Sequence, residues 1–223
     1  MLAPRAPRPY AASTLGALRG SLTYSRFFVI GDLPADLPGE SIKRIRASAA
    51  QPLDPDEDVA ERHGWCSIED PMTTDLGHEG VFFNEYVCLG LRIDRWVVPK
   101  PMLNAHLRDA EAALLEKKGL AQLGRKAKAD LKLFVLKRLR RQLMPTTKSV
   151  DFVWNVQSGV ARFFSQSARI HLLVQELFEK TFRLKLVPES PGTLAERTGL
   201  DARASKFWDV VEPITLAREG GAP

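Results

Sequence analysis

Apolar residues change spacing repeatedly along this chain, and each change predicts an element. In "SLTYSRFFVIG", residues 21–31, β-branched and aromatic residues run together and are closed by Gly31 and Pro34, which predicts a first strand. "GESIKRIRASAA", residues 39–50, sets Ile42, Ile45 and Ala49 at helical spacing among Lys43, Arg44 and Arg46, a short basic helix. An acidic loop, "LDPDEDVAER", leads to "HGWCSIED", where Trp65 is expected to fill a core gap beside a second strand. "VFFNEYVCLGLRIDRWVVP", residues 81–99, has strand character throughout, with Asn84, Glu85 and Gly90 marking a turn or bulge, so two strands are expected.

Pro101 suits the first turn of a helix that carries Leu103, Leu107, Ala110 and Leu114 on one face and ends at Gly119. A second helix is predicted from Arg125 to Gln142, stopping before Pro145. Its apolar seam is expected at Ala127, Leu131, Phe134 and Val135, with Arg125, Lys126, Lys132, Lys137, Arg140 and Arg141 on the opposite half. Arg138 interrupts the seam, and Leu133 and Leu136 stray onto the basic side. "SVDFVWNVQSGVARFFSQS" reads as a hairpin that turns at Gln157, Ser158 and Gly159. From Ser167 a regular amphipathic helix follows, with Ile170, Leu173, Val174, Leu177 and Phe178 facing the core, and ends near Phe182. "LKLVP" supplies a short strand, and the chain from residue 192 to 223 reads as a short helical extension.

Charge changes this picture at one place. Between Lys117 and Lys148 stand eleven bases, Lys117, Lys118, Arg125, Lys126, Lys128, Lys132, Lys137, Arg138, Arg140, Arg141 and Lys148, against the single acid Asp130. Eleven bases less one acid is +10, in a chain whose whole balance is +5. Exposed helices ordinarily interleave Glu with Lys to gain pairs four residues apart, whereas neighbouring like charges cost a few tenths of a kcal/mol each. An anionic ligand is the natural compensation, with nucleic acid favoured over an anionic membrane, an acidic protein or a merely solvated face. Lys and Arg contact phosphates without reading sequence, and no zinc finger, aromatic RNA-recognition signature or clear helix-turn-helix accompanies them.

Composition narrows the remaining classes. With 223 residues, 44% of them hydrophobic, the chain can bury a core. The two cysteines, Cys66 and Cys88, suit small buried hydrophobes in a reducing cytoplasm and make no disulfide framework. No apolar run is long enough to span a membrane. Residues 1–20, acid-free and with Arg5, Arg8 and Arg19 among prolines, read as a disordered basic tail or a misassigned start, a transit peptide being the lesser alternative. His63 with Cys66 is the nearest approach to metal ligands but has no second pair, and His78, His106 and His171 are scattered. Glycine-rich phosphate loops, G-x-S-x-G and H-E-x-x-H are all missing, so neither cofactor nor catalytic group is expected.

The order of motifs is itself distinctive: "GW" at Gly64 and Trp65, "VVPKPMLNAHLRDAEAALLEKKG", "LGRKAKADLKLFVLKRLRRQLMP", the hairpin, the helix and "LKLVPESP". Over residues 21–191 this resembles the recombination-associated protein RdgC family of bacterial nucleoid proteins, of which the chain looks like a shortened, divergent member. The resemblance implies a non-enzymatic protein that binds DNA without sequence preference, forms a ring-shaped homodimer around the duplex and restrains RecA-mediated strand exchange. Arg125, Lys126, Lys128, Lys132, Lys137, Arg138, Arg140 and Arg141 would then line the hole.

Together these readings predict an α+β protein of two small antiparallel-sheet-plus-helix lobes with the long basic helices between them. Its expected ligands are double-stranded DNA and, more weakly, single strands. It is expected to act in the cytoplasm at the nucleoid, as a dimer whose favoured interface is the hairpin carrying Phe152, Val153 and Trp154. The alternatives are a module that docks an acidic partner and a nuclease whose carboxylates converge only in the fold.

Overall fold

The computed structural model describes residues 16–18, 22–208 and 210. Most of the basic opening segment and the last thirteen residues lie outside the described residues. The chain divides into a unit ending at Val187 and a second beginning at Pro188. It is an α+β protein with seven strands and six helices among the described residues.

The strands are β1 (Ser25–Ile30), β2 (Glu61–Cys66), β3 (Phe82–Phe83), β4 (Tyr86–Arg95), β5 (Thr146–Asn155), β6 (Val160–Phe163) and β7 (Lys185–Pro188). The helices are α1 (Leu37–Ala47), α2 (Lys100–Lys118), α3 (Arg125–Arg140), α4 (Ala168–Phe182), α5 (Pro191–Thr198) and α6 (Ala202–Trp208). All seven strands join in one sheet, ordered β2-β4-β5-β6-β1-β7 with β3 beside β4, which replaces the two expected lobes. The physical reason is the register of the two longest strands. β4 and β5 pair antiparallel along their whole length, from Tyr86 opposite Asn155 to Arg95 opposite Thr146, so the second hairpin extends the first sheet. The same register makes residues 96–145 leave and return at one end of the sheet, so α2 and α3 form an arm between paired neighbours.

Side-chain alternation sorts the sheet into two faces. Val87, Leu89, Leu91, Val150, Phe152, Trp154, Ala161 and Phe163 share one face with Phe27 and Trp65, and all are buried. α4 covers them. Phe178 stands 5.6 Å from Phe152 and 5.4 Å from Trp154, and Phe182 lies 5.4 Å from Trp154, each ring tilted or edge-on to its neighbour. The hairpin's Phe152 and Trp154 are therefore core, and the dimer interface expected there loses its aromatic face; Val153, on the opposite face, is half-buried.

Smaller departures from expectation have local causes. α1 stops at Ala47 because residues 48–50 run beside β2, with Trp65 N donating to Ser48 O at 2.9 Å and Ala50 N to Trp65 O at 2.8 Å. Its arginines are used internally: Arg44 Nε donates to Thr181 O and Arg46 Nε to Leu76 O. The β3–β4 turn falls at Asn84, whose φ is +52°, but Gly90 lies inside β4. A Cβ at Gly90 would stand 2.6 Å from Cys66 Sγ and 3.0 Å from Ser149 Oγ, so this glycine permits close packing and marks no turn. In the second unit, Ser190 and Thr193 form a capping box at the start of α5.

Candidate nucleic-acid interface

The arm begins where Pro99 caps α2 and Pro101 occupies its first turn, and α2 ends at Gly119 in the left-handed conformation, φ +62°. None of its 19 residues is buried; Leu103, Leu107, Ala110 and Leu114 are half-buried. α3 packs back against α2, and Lys128 Nζ reaches Glu111 Oε1 across the pair at 2.9 Å. Its buried residues are Val135, Leu139 and Arg140. The apolar seam is thus rotated from the expected one: Ala127 and Leu131 are half-buried, Val135 is buried, and Phe134 is 62% exposed. A two-helix arm has one partner helix to cover an apolar stripe, and Phe134 lies too far round α3 to share it.

The predicted cations separate into three groups. Lys117, Lys118, Arg125, Lys126, Lys132 and Arg138 are exposed, Lys137 is half-exposed, and none of them makes an ion pair among the described residues. Lys117 and Lys118 end α2 while Arg125 and Lys126 begin α3, so these four flank the turn at the tip of the arm. At about 100° per residue, Lys132, Arg125, Lys126 and Lys137 span an arc of about 140°, centred opposite Leu131. From Arg125 to Lys137 is roughly 18 Å along the helix axis at about 1.5 Å per residue. Arg138 falls outside that arc.

Lys128 and Arg141 form the second group, exposed but paired, the latter donating from Nε and Nη2 to Asp56 Oδ1 at 3.0 and 2.6 Å. The third group departs from expectation. Arg140 is only 6% exposed, its Nη1 donates to Glu57 O at 3.0 Å and its Nε has no partner, so it is not a free phosphate-seeking arm. Burial follows from position: Arg140 adjoins Leu139, which is buried where α3 returns to the sheet. Lys148 belongs to β5, opposite Ile93, and not to the arm.

The helix ends sharpen the electrostatics. The first turn of α3 contains Arg125, Lys126 and Lys128 and no acid, and Gly124 offers no side-chain cap. Positive charge at a helix N-terminus opposes the macrodipole, typically by about 0.3–1 kcal/mol per charge when exposed. The acids that partly compensate α3 come from outside its own sequence, Glu111 on α2 and Asp56 in the acidic loop. The signal in the sequence for such a partner is the excess of acid outside the basic window, where the rest of the chain sums to −5, that is +5 less +10.

Other candidate chemistry disperses. Strand alternation sends His63 and Cys66 to opposite faces of β2, and no group of three metal-ligating side chains occurs among the described residues. His171 Nε2 lies 2.7 Å from Ser165 O and His78 stacks on Phe82. Burial pushes both thiols up, Cys66 and Cys88 each to about 11, which keeps them protonated and poorly nucleophilic. Asp151 is half-buried, and desolvation raises it, opposed by the amide of Ala17, which donates to its Oδ2 at 2.7 Å. No helix among the described residues is long and apolar enough to cross a membrane. Compared with known proteins, the chain matches no protein-family model and no curated protein.

Proposed function

We propose that this chain binds DNA through phosphates, without reading sequence, and acts at the nucleoid to modulate RecA-type strand exchange rather than to cleave or join strands. The observation that carries the binding is the arm: seven cations, Lys117, Lys118, Arg125, Lys126, Lys132, Lys137 and Arg138, stand at its surface with no acidic partner among the described residues. The recombination role rests on the resemblance of motifs to the RdgC family, as does pairing into a dimer, which would double the charge presented to a duplex. A second reading, docking of an acidic protein, draws on Phe134 and Leu133, exposed among these cations.

Gel shifts on unrelated duplexes and single strands, across a salt series and with and without magnesium, test the proposal. If about five to seven phosphates are neutralised, log K against log salt for duplexes falls with a slope of about −4.5 to −6. All duplexes bind alike, single strands bind more weakly, and magnesium leaves the DNA unnicked. A slope shallower than about −2 would leave too few phosphate contacts for this reading. Strong preference for one duplex would also overturn it, and nicking would favour a nuclease.

A further inference from the structure

The acidic loop between α1 and β2 occupies the arginine end of α3. It is anchored at both sides, by Leu53, which is buried, and by Ala60, whose carbonyl accepts from Trp96 N at 2.9 Å. Between these anchors Asp54, Asp56, Glu57 and Asp58 are exposed. Asp54 shapes the turn, its Oδ1 accepting from Asp56 N at 2.8 Å and its carbonyl from Glu57 N at 3.3 Å. The turn aims Asp56 at the guanidinium of Arg141, which grips one carboxylate oxygen with two nitrogens. Glu57 holds Arg140 through its backbone carbonyl and Arg62 through its carboxylate.

A carboxylate held by two guanidinium nitrogens occupies the place that a phosphate takes in a charge-assisted pair. We propose that residues 54–59, between these anchors, are an internal competitor for phosphate, masking the C-terminal end of the basic helix until a polyanion displaces them. This rests on the DNA-binding reading above. The contact is of the exchangeable kind: the Arg141 and Asp56 side chains are 64% and 54% exposed, and exposed pairs are weak and screened by salt. Displacement frees Arg141. It also removes the acceptor of Arg140 Nη1, whose neighbouring Nε already lacks a partner. Binding therefore proceeds in two stages, the unpaired cations of the arm engaging first and the arginine end joining when the loop leaves.

The test is a double-mutant cycle with Asp56→Asn and Arg141→Gln in the full chain, reading duplex affinity by fluorescence anisotropy against salt. Asp56→Asn raises affinity about two- to fivefold near 0.1 M salt, the equivalent of the one exposed ion pair that the wild type must break, and leaves the log–log slope unchanged because both chains end with the same phosphate contacts. In the Arg141→Gln background the same substitution has no effect. If Asp56→Asn strengthens binding equally in both backgrounds, the acid acts only through the general field and competition is overturned. An unchanged affinity in Asp56→Asn, beside a steep wild-type slope, overturns the competitor alone. Slopes shallower than about −2 in every variant, wild type included, overturn it together with the DNA-binding reading.

Discussion

α3 and α4 are nearly the same length, 16 and 15 residues, yet they bury opposite kinds of surface. α4 buries Ile170, Val174, Leu177, Phe178, Thr181 and Phe182 against the sheet, and its acids Glu176 and Glu179 face solvent. α3 buries Val135, Leu139 and an arginine, leaves Phe134 exposed and carries cations round much of its circumference. Neither first turn has an acid, but α4 has a sheet beneath it whereas α3 has chiefly α2, a helix with nothing buried. The contrast separates two uses of amphipathic sequence. In α4 apolar periodicity supplies stability; in α3 it supplies only enough contact to hold charge in place.

The largest expected difference between the two helices is in stability. Phe178→Ala, which empties the centre of the aromatic cluster, should cost about 3–5 kcal/mol in urea unfolding. Phe134→Ala, on the exposed side of the arm, should fall within about 0.5 kcal/mol of wild type. Equal losses from both would mean that α3 is buried by something the sheet does not provide.

The reverse asymmetry should appear in binding. Lys126→Glu, Lys132→Glu and Lys137→Glu together remove three unpaired cations from one arc of α3 and should flatten the salt slope by about 2.7, with the melting curve little changed. Lys180→Glu, at the exposed C-terminal end of α4, should leave DNA affinity within about twofold, because that lysine belongs to no part of the arm and its replacement removes no phosphate contact there. Isothermal titration with a duplex distinguishes the two variants.

The smallest effect concerns the sheet face that α4 does not cover. Burial holds Asp151 above its ordinary value of 3.8 in the folded chain, so folding favours its protonated form. Stability is therefore fully retained below both values and is lost as pH rises from the unfolded value through the folded one, where the buried carboxyl must ionise. Asp151→Asn, which keeps an oxygen to accept from Ala17 N, should match wild type near pH 3 and become modestly more stable than wild type by neutral pH. A melting-temperature difference independent of pH would exclude the titration of Asp151 as its cause.

Legibility followed the number of layers that decide a residue's environment. Ser167 to Phe182 could be read from sequence because periodicity and burial agree there: four of its five predicted core positions are buried and Leu173 is half-buried. Gly119 as a helix stop and Asn84 as a turn were likewise legible, since a positive φ favours those residue types locally. Gly90 was misread because a glycine required by a neighbour's sulfur looks the same in sequence as one required by a turn. Phe134 was misread because the periodicity that suggests a buried stripe does not say how wide the covering partner is.

The sequence alone determined that a +10 segment, with a helix at its centre, lies between two groups of strands, because charge and period are properties of neighbours along the chain. Tertiary structure decided that those strand groups are one sheet, through the β4–β5 register, and that residues 96–145 consequently leave and return at one end. It also decided which charges remain available. Asp56 is 85 residues from Arg141, and Glu57 is 83 from Arg140. Charges that distant along the chain neutralise one another only when the fold brings them within hydrogen-bond reach, since electrostatic attraction depends on separation in space and on the water between.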